Sequence, residues 1–462
     1  MKRGTSQAGF TLVELTVALV AGLIVAMGIV GLSRAATQTF NEEVRSSAAE
    51  SALRAATDRL RADLGRAAYM STANILYDPM IARAPTDTNV AHIPAGMKGL
   101  LGLGAIQLQE GGSVTLNGLP ASTWSPNALA PDTIVVGGNL TTAEQFDVQM
   151  VQQAAGTCTK VYISALSAAF FRAVPSGTTN QSLVRAALSN LFAPVTGNGT
   201  TAQFMVRILD ETGHSQYLAT CPIAYPGDID GNGPFIAVDT TSTPIVTAAM
   251  TAGVGGISGY GRGWINPVQL VRWEITSTAQ EAKNQQQFAG ALGNVLQSGN
   301  VDPNKYDLTR TYLDAFGNPV WASSEIVAEY AVDLDFAFSV DTTAVGATQP
   351  SIISYAFDDA NNALYAPDLS TLTPPVPNNL QPSPQGPQRI RSVRARVAAR
   401  AALADRSQDI PSPQAGFVYR YCLNSNGCPA AGTGTNNGAL NYARVHTMTL
   451  EVALPNNAGF FY

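Results

Sequence analysis

The sequence predicts an α+β protein in which one long N-terminal helix lies against a large C-terminal antiparallel sheet domain with insertions. Three observations carry that expectation. Residues 10–32 are apolar apart from Glu14; an apolar period continues without a proline as far as residue 70; and from residue 132 onward short β-branched and aromatic runs alternate with Gly- and Pro-rich stretches.

The first helix has two halves. From Phe10 to Leu32 there are 23 residues, which at ~1.5 Å rise each cover the ~30 Å hydrocarbon thickness of a bilayer. A secretory signal core is shorter, about 7 to 15 residues, and lacks such a carboxylate. Lys2 and Arg3 precede the run, so the positive-inside bias keeps the short end in the cytoplasm and sends the bulk of the chain outward. A carboxylate inside the apolar run costs about 2.5 to 3.5 kcal/mol unless it protonates or meets a cation. Glu14 therefore needs a partner. Beyond Leu32, residues 33–70 read as an amphipathic continuation. Phe40, Val44, Ala48, Ala52, Ala56, Leu60, Leu64 and Ala68 form one stripe, while Glu42, Glu43, Arg45, Arg54, Asp58, Arg59, Arg61 and Asp63 fall elsewhere. A continuous helix to Tyr69 would be roughly 90 Å long.

Residues 71–462 are expected to form a β-rich head with loop insertions. Residues 71–131 read as loop or a small irregular subdomain. Strands are expected at Asp132 to Val136, Phe146 to Val151, Lys160 to Ser164, Phe204 to Leu209 and Val268 to Ile275, with a short helix at Ser182 to Phe192. Ala279 to Gln297 reads as a helical insertion and Thr373 to Pro387 as an extended proline-rich excursion. The clearest strand is Tyr330 to Val340, which predicts an apolar face opposite a solvated face bearing Asp333 and Asp335. Arg391 to Leu403 alternates valine and alanine with arginine, read as a solvated face pairing with carboxylates. Arg444 to Leu454 alternates likewise.

Charged residues make up 13% of the chain, about half the share usual in soluble domains, and with net charge −6 nothing invites nucleic acid. The four cysteines contain no C-x-x-C. In an oxidising compartment they suggest disulfides. Cys422 and Cys428 flank an Asn-Gly turn and are paired with each other; Cys158 with Cys221 then follows by elimination.

One constellation suggests an ion. Asp228-Ile229-Asp230-Gly231-Asn232-Gly233 with Asp239 meets the calcium-loop pattern, Asp228, Asp230 and Asn232 supplying side-chain oxygens, Pro234 a carbonyl and Asp239 the closing carboxylate. The closing Asp is shorter than the usual Glu, and Tyr225-Pro226 opposes an entering helix. A polar Asp/Asn/Gly turn is the competing and preferred reading. The glycines from Gly255 to Gly263 miss every phosphate-loop spacing, and the three histidines are scattered. No nucleophile, redox or nucleotide motif emerges, so the protein is not expected to be an enzyme and no cofactor is required beyond that calcium reading.

Lys2, Arg3, Gly9 and Phe10-Thr11-Leu12-Val13-Glu14, with the helix behind them, resemble the class III signal of type IV pilins and type II secretion pseudopilins. The resemblance implies a pilin-like fold, a prepilin leader at residues 1–9 and a transmembrane half-helix at 10–32. It also implies cleavage after Gly9 by a prepilin peptidase, N-methylation of Phe10, and pairing of Glu14 with the Phe10 amine of a neighbouring subunit, which sets register. Glu325 to Asp341, Arg389 to Arg400 and Tyr442 to Pro455 resemble the last three strands of PilW-type minor pilins. The expected function is that of a minor pilin priming pilus assembly near the tip, among other minor pilins, the major pilin and a tip adhesin. It would sit in the bacterial inner membrane, head periplasmic, before joining the fibre. The alternatives are a J-type pseudopilin of type II secretion and a membrane-tethered, calcium-dependent adhesion module.

Overall fold

The computed structural model describes residues 11–82, 93–112, 130–153, 158–194, 202–211, 213–241, 263–276, 305–344, 347, 349–373, 383, 385–404, 420–423 and 442–457. An apolar N-terminal helix leads into a large antiparallel sheet domain. Helix α1 (Leu12–Leu64) is one run of 53 residues, about 80 Å long. Thr11, extended and side-chain bonded to the first turn, starts it, and Gly65 caps its end. Ala68 and Met70 then turn left-handed, at φ 57° and 49°, which breaks the helical period short of Tyr69.

The head continues with α2 (Lys98–Leu101), β1 (Ile106–Gln109), β2 (Thr133–Gly138), β3 (Phe146–Gln153) and β4 (Cys158–Ile163). Helices α3 (Ala168–Ala173) and α4 (Gln181–Phe192) precede β5 (Met205–Asp210), β6 (Ser215–Thr220), β7 (Gly227–Asp230), β8 (Gly233–Asp239) and β9 (Gly263–Thr276). Then come β10 (Asp307–Leu313), β11 (Glu325–Ala328), β12 (Ala331–Asp341), β13 (Ile352–Ser354), α5 (Asn361–Tyr365), β14 (Ile390–Arg400), β15 (Arg420–Cys422) and β16 (Tyr442–Ala453).

Strand β9 belongs to two structures at once. Its first half pairs with β3 and β5, and the path β9-β3-β4-β8-β6-β5 closes on itself as an antiparallel ring. Closure removes free strand edges. Phe146, Val161, Val206, Leu218 and Ile236 fill the interior, with Phe170 of α3 and Leu188 and Phe192 of α4 packed into the same core. The second half of β9 pairs with β2 and β10, and the sheet runs on through β1 and β11.

A further sheet, β13-β12-β14-β16-β15, is built from the C-terminal strands. Leu53, Ala56, Leu60 and Leu64 of α1 are fully buried in one core with Trp273, Leu308, Phe336, Phe338, Val397 and Leu450. Each leucine contributes roughly 1.5–3 kcal/mol there. The stripe read from the sequence holds only at this end. Phe40 and Val44 are 64% and 51% exposed; among the described residues no strand packs against that part of the helix.

The acidic face of β12 is a correction. Asp333 and Asp335 are buried rather than solvated, since Arg396 of β14 reaches both carboxylates, at 2.9 Å to Asp333, and the Phe357 ring lies 5.0 Å from its guanidinium. Of the β14 arginines, Arg391 and Arg396 pair with carboxylates, as expected, but on a largely buried face, while Arg394 and Arg400 donate to the backbone carbonyls of Tyr355, Ala401 and Ala402. A register shift between Ala331 and Asp333 places Val332 with Ala398, Tyr421 and Val445 rather than on the main apolar face. The insertion at 279–297 and most of the proline-rich excursion lie outside the described residues.

Candidate functional site

The candidate site is the N-terminal helix and its two attachments. Leu12–Arg34 is a 23-residue segment of mean hydropathy 2.6, none of it buried against the head. It is long and apolar enough to cross a membrane. Its large apolar side chains are 54% (Leu23) to 81% (Leu12) exposed, far more contiguous apolar surface than a soluble monomer leaves bare. That surface is compatible with anchoring in a membrane.

At the tip of this segment Glu14 is held by Thr11. The Thr11 N–H and hydroxyl both donate to Glu14 Oε2 at 3.0 Å, and the Glu14 N–H donates to Thr11 Oγ1 at 3.3 Å. This is a capping box, so the carboxylate already has local donors within its own chain. The Thr-x-x-Glu spacing is the sequence signal for it. Gly9 and Phe10, the expected cleavage and methylation positions, lie outside the described residues, as does the leader.

The other attachment is at the last turn of α1. Asp63 accepts from Trp273 Nε1 at 3.0 Å, from Arg310 Nε at 2.7 Å and from Arg310 Nη2 at 3.3 Å. Asp63 is 5% and Arg310 2% exposed, and Trp273 fully buried. Burial alone would lower the Arg310 guanidinium's affinity for its proton; the bonds and charge of Asp63 outweigh it and hold the pKa above the ordinary value. Asn456, after β16, donates to the Gly65 and Ala67 carbonyls at 3.3 and 3.1 Å, satisfying groups just past the helix end. Sequence placed Asp63 among the solvated charges; only the fold brings β9 and β10 to it.

The expected calcium loop takes another form. Asp228 to Asp239 is a hairpin, β7 paired with β8 in the register Asp230 to Gly233, with Pro234 opposite Ile229. Asp228 accepts from Arg185 at 2.8 Å, and Asp230 from Lys160 at 2.6 Å and the Tyr162 hydroxyl at 2.9 Å. Burial works to raise the pKa of both carboxyls, but these cations and nearby N–H groups prevail and hold them below the usual range. Asn232 is in the turn. Asp239 is six residues along β8 from Gly233, about 20 Å away at strand rise, and accepts from Gln203 and Thr241. Extended backbone thus keeps the five positions from converging. Among the described residues no three acidic, histidine or cysteine side chains form a group that could hold a metal.

Cys158, opening β4, is bonded to Cys221, just past β6, with Cα atoms 5.8 Å apart and a sequence separation of 63. Cys422 is also disulfide-bonded; Cys428, its expected partner, lies outside the described residues.

No family model, curated protein or solved structure matches the chain.

Proposed function

We propose that the protein is a minor pilin of a type IV pilus, a structural subunit that primes assembly and stands near the fibre tip. The observation carrying this reading is one unbroken helix whose first half is wholly bare and apolar, led by Glu14, and whose last turns, from Leu53 to Leu64, bury one face in an antiparallel head. The inner membrane stores that bare half with the head in the periplasm. Cleavage after Gly9 by a prepilin peptidase frees an amine on Phe10, which becomes N-methylated. Glu14 then exchanges its Thr11 donors for the Phe10 amine of a neighbour. An ionised pair of that kind is roughly twice as strong as a neutral hydrogen bond, and stronger still away from water. Helices of other minor pilins and the major pilin replace lipid around Leu12 to Leu32, while the head is left for its neighbours and a tip adhesin. The work done is positioning, not catalysis.

Mass spectrometry of the native protein tests the reading. The expected mature chain begins at N-methylated Phe10; a chain still beginning at Met1 refutes it.

A further inference from the structure

The two sheets meet along an edge of β12 that the short strand β13 leaves uncovered. One edge of β12 pairs with β14 from Ala331 to Val340, whereas on the other β13 reaches only Ser339 to Asp341. Along the uncovered stretch, side chains take the place of a strand. Asp132, the residue before β2, donates its N–H to the Leu334 carbonyl at 2.7 Å and accepts from the Phe336 N–H at 3.0 Å. Asn362 of α5 accepts from the Phe338 N–H at 3.0 Å. The Asp132 carboxyl also accepts from the Gly111 N–H, just past β1, at 2.9 Å. One side chain therefore ties the β1–β2 side of the larger sheet to the edge of β12.

That side chain stands among too many carboxyls for all of them to ionise. Asp132 is hydrogen-bonded to Asp335 of β12, and Asp333 lies two residues from Asp335 along the same strand. All three are buried, and the guanidinium in ion-pair contact with Asp333 and Asp335 is that of Arg396 on β14. Arg394, on the same strand, donates to the Tyr355 carbonyl, so three carboxyls face two cations at most. Asp358 and Asp359, ahead of α5, and Glu110, after β1, add further negative charge nearby. Carboxylates that share a site retain a proton. We propose that Asp132 and Asp335 share one proton, and that this proton latches the β1–β2 side of the larger sheet onto β12. Losing it leaves two carboxylates in contact away from water. The seam then parts, and the Phe336 N–H and Leu334 carbonyl become an unpaired strand edge. Burial first, and then repulsion from neighbouring carboxylates, raises both pKa values above the ordinary 3.8, whereas an open seam returns them to it. The latch is therefore full below about pH 4 and is lost as pH rises, opening gaining up to about tenfold per pH unit until the raised value is passed. It does not depend on whether the chain enters a fibre.

Hydrogen–deuterium exchange on the full chain in detergent tests it, compared at about pH 5 and about pH 8 after correction for intrinsic base catalysis. Amides of the seam, at Gly111 and Phe336, are expected to exchange at least about tenfold faster at the higher pH. At that pH they should also outpace the amides of β6, which lies in the closed ring and opens only with it. Asp335→Asn keeps an oxygen for Arg396 and offers an N–H to Asp132, so it should hold the seam shut and remove the pH dependence. Should that variant fail to fold, the comparison of seam with β6 in the unaltered chain decides. No acceleration with pH, seam amides never faster than those of β6, or the same acceleration in Asp335→Asn overturns the proposal.

Discussion

Replacing Asp63 with alanine removes the one carboxylate that accepts from both Arg310 and Trp273. Arg310 is 2% exposed, so its charge would stay in the interior with the Tyr312 hydroxyl at 3.3 Å and, of the carboxylates among the described residues, the half-exposed Glu325 at 3.9 Å from Nε. Breaking one side of a buried pair costs about 3–5 kcal/mol, and the stranded Trp273 N–H adds about 1 kcal/mol. Asp63→Ala is therefore expected to lose on the order of 4 kcal/mol in urea unfolding of the full chain in detergent, followed by tryptophan fluorescence. Adding Arg310→Met removes the stranded charge, so the double variant should be more stable than Asp63→Ala alone by about 1–3 kcal/mol. A loss below about 1 kcal/mol for Asp63→Ala, or simple additivity of the two changes, would refute the account of this network.

Glu14→Ala should still insert in the membrane, because it removes a charge from an apolar segment, yet enter filaments at least about tenfold less well by immunoblot of sheared fibres. Normal incorporation would contradict the pairing. Asp132 bridges the two sheets, accepting from Gly111 and Phe336 N–H groups at 2.9 and 3.0 Å. Burial, opposed by the Gly111 bond and reinforced by Asp335, pushes its pKa up to about 8 from an ordinary 3.8. The folded state thus holds the proton more tightly than the unfolded one. This contribution to stability is full below about pH 4 and is lost as pH rises through about 8, at no more than about 1.4 kcal/mol per pH unit. Asp132→Asn should flatten that slope in a pH series of urea titrations; an unchanged slope counts against it. Cys158→Ala with Cys221→Ala opens a 63-residue separation and should cost about 4 kcal/mol by loop entropy, read as a lower urea midpoint.

What the sequence revealed and concealed follows from range. The helix and strands such as β3, β12 and β16 repeat over a few residues, so their periods are written locally. Partners are not. Asp63, Asp333 and Asp335 look solvated in sequence and are buried only because Arg310 and Arg396 arrive from strands far along the chain. The 228–239 stretch matched a loop pattern by composition, and the same Asp, Asn and Gly residues equally make the turn between β7 and β8. β6, buried along its whole length, carries Ser, Gln and Thr among its six residues and so shows no clean alternation. At the N-terminus the Thr11–Glu14 box is written in its Thr-x-x-Glu spacing, whereas ring closure by β5 onto β9 leaves no local trace at all.

One strand shared by two sheets has a mechanical consequence. Trp273 joins α1 to β9 through Asp63, and the same strand runs on to Gly263, where it is stitched to β3 and β5. A pull along the helix axis therefore enters β9 at Trp273 and passes along its backbone to the ring.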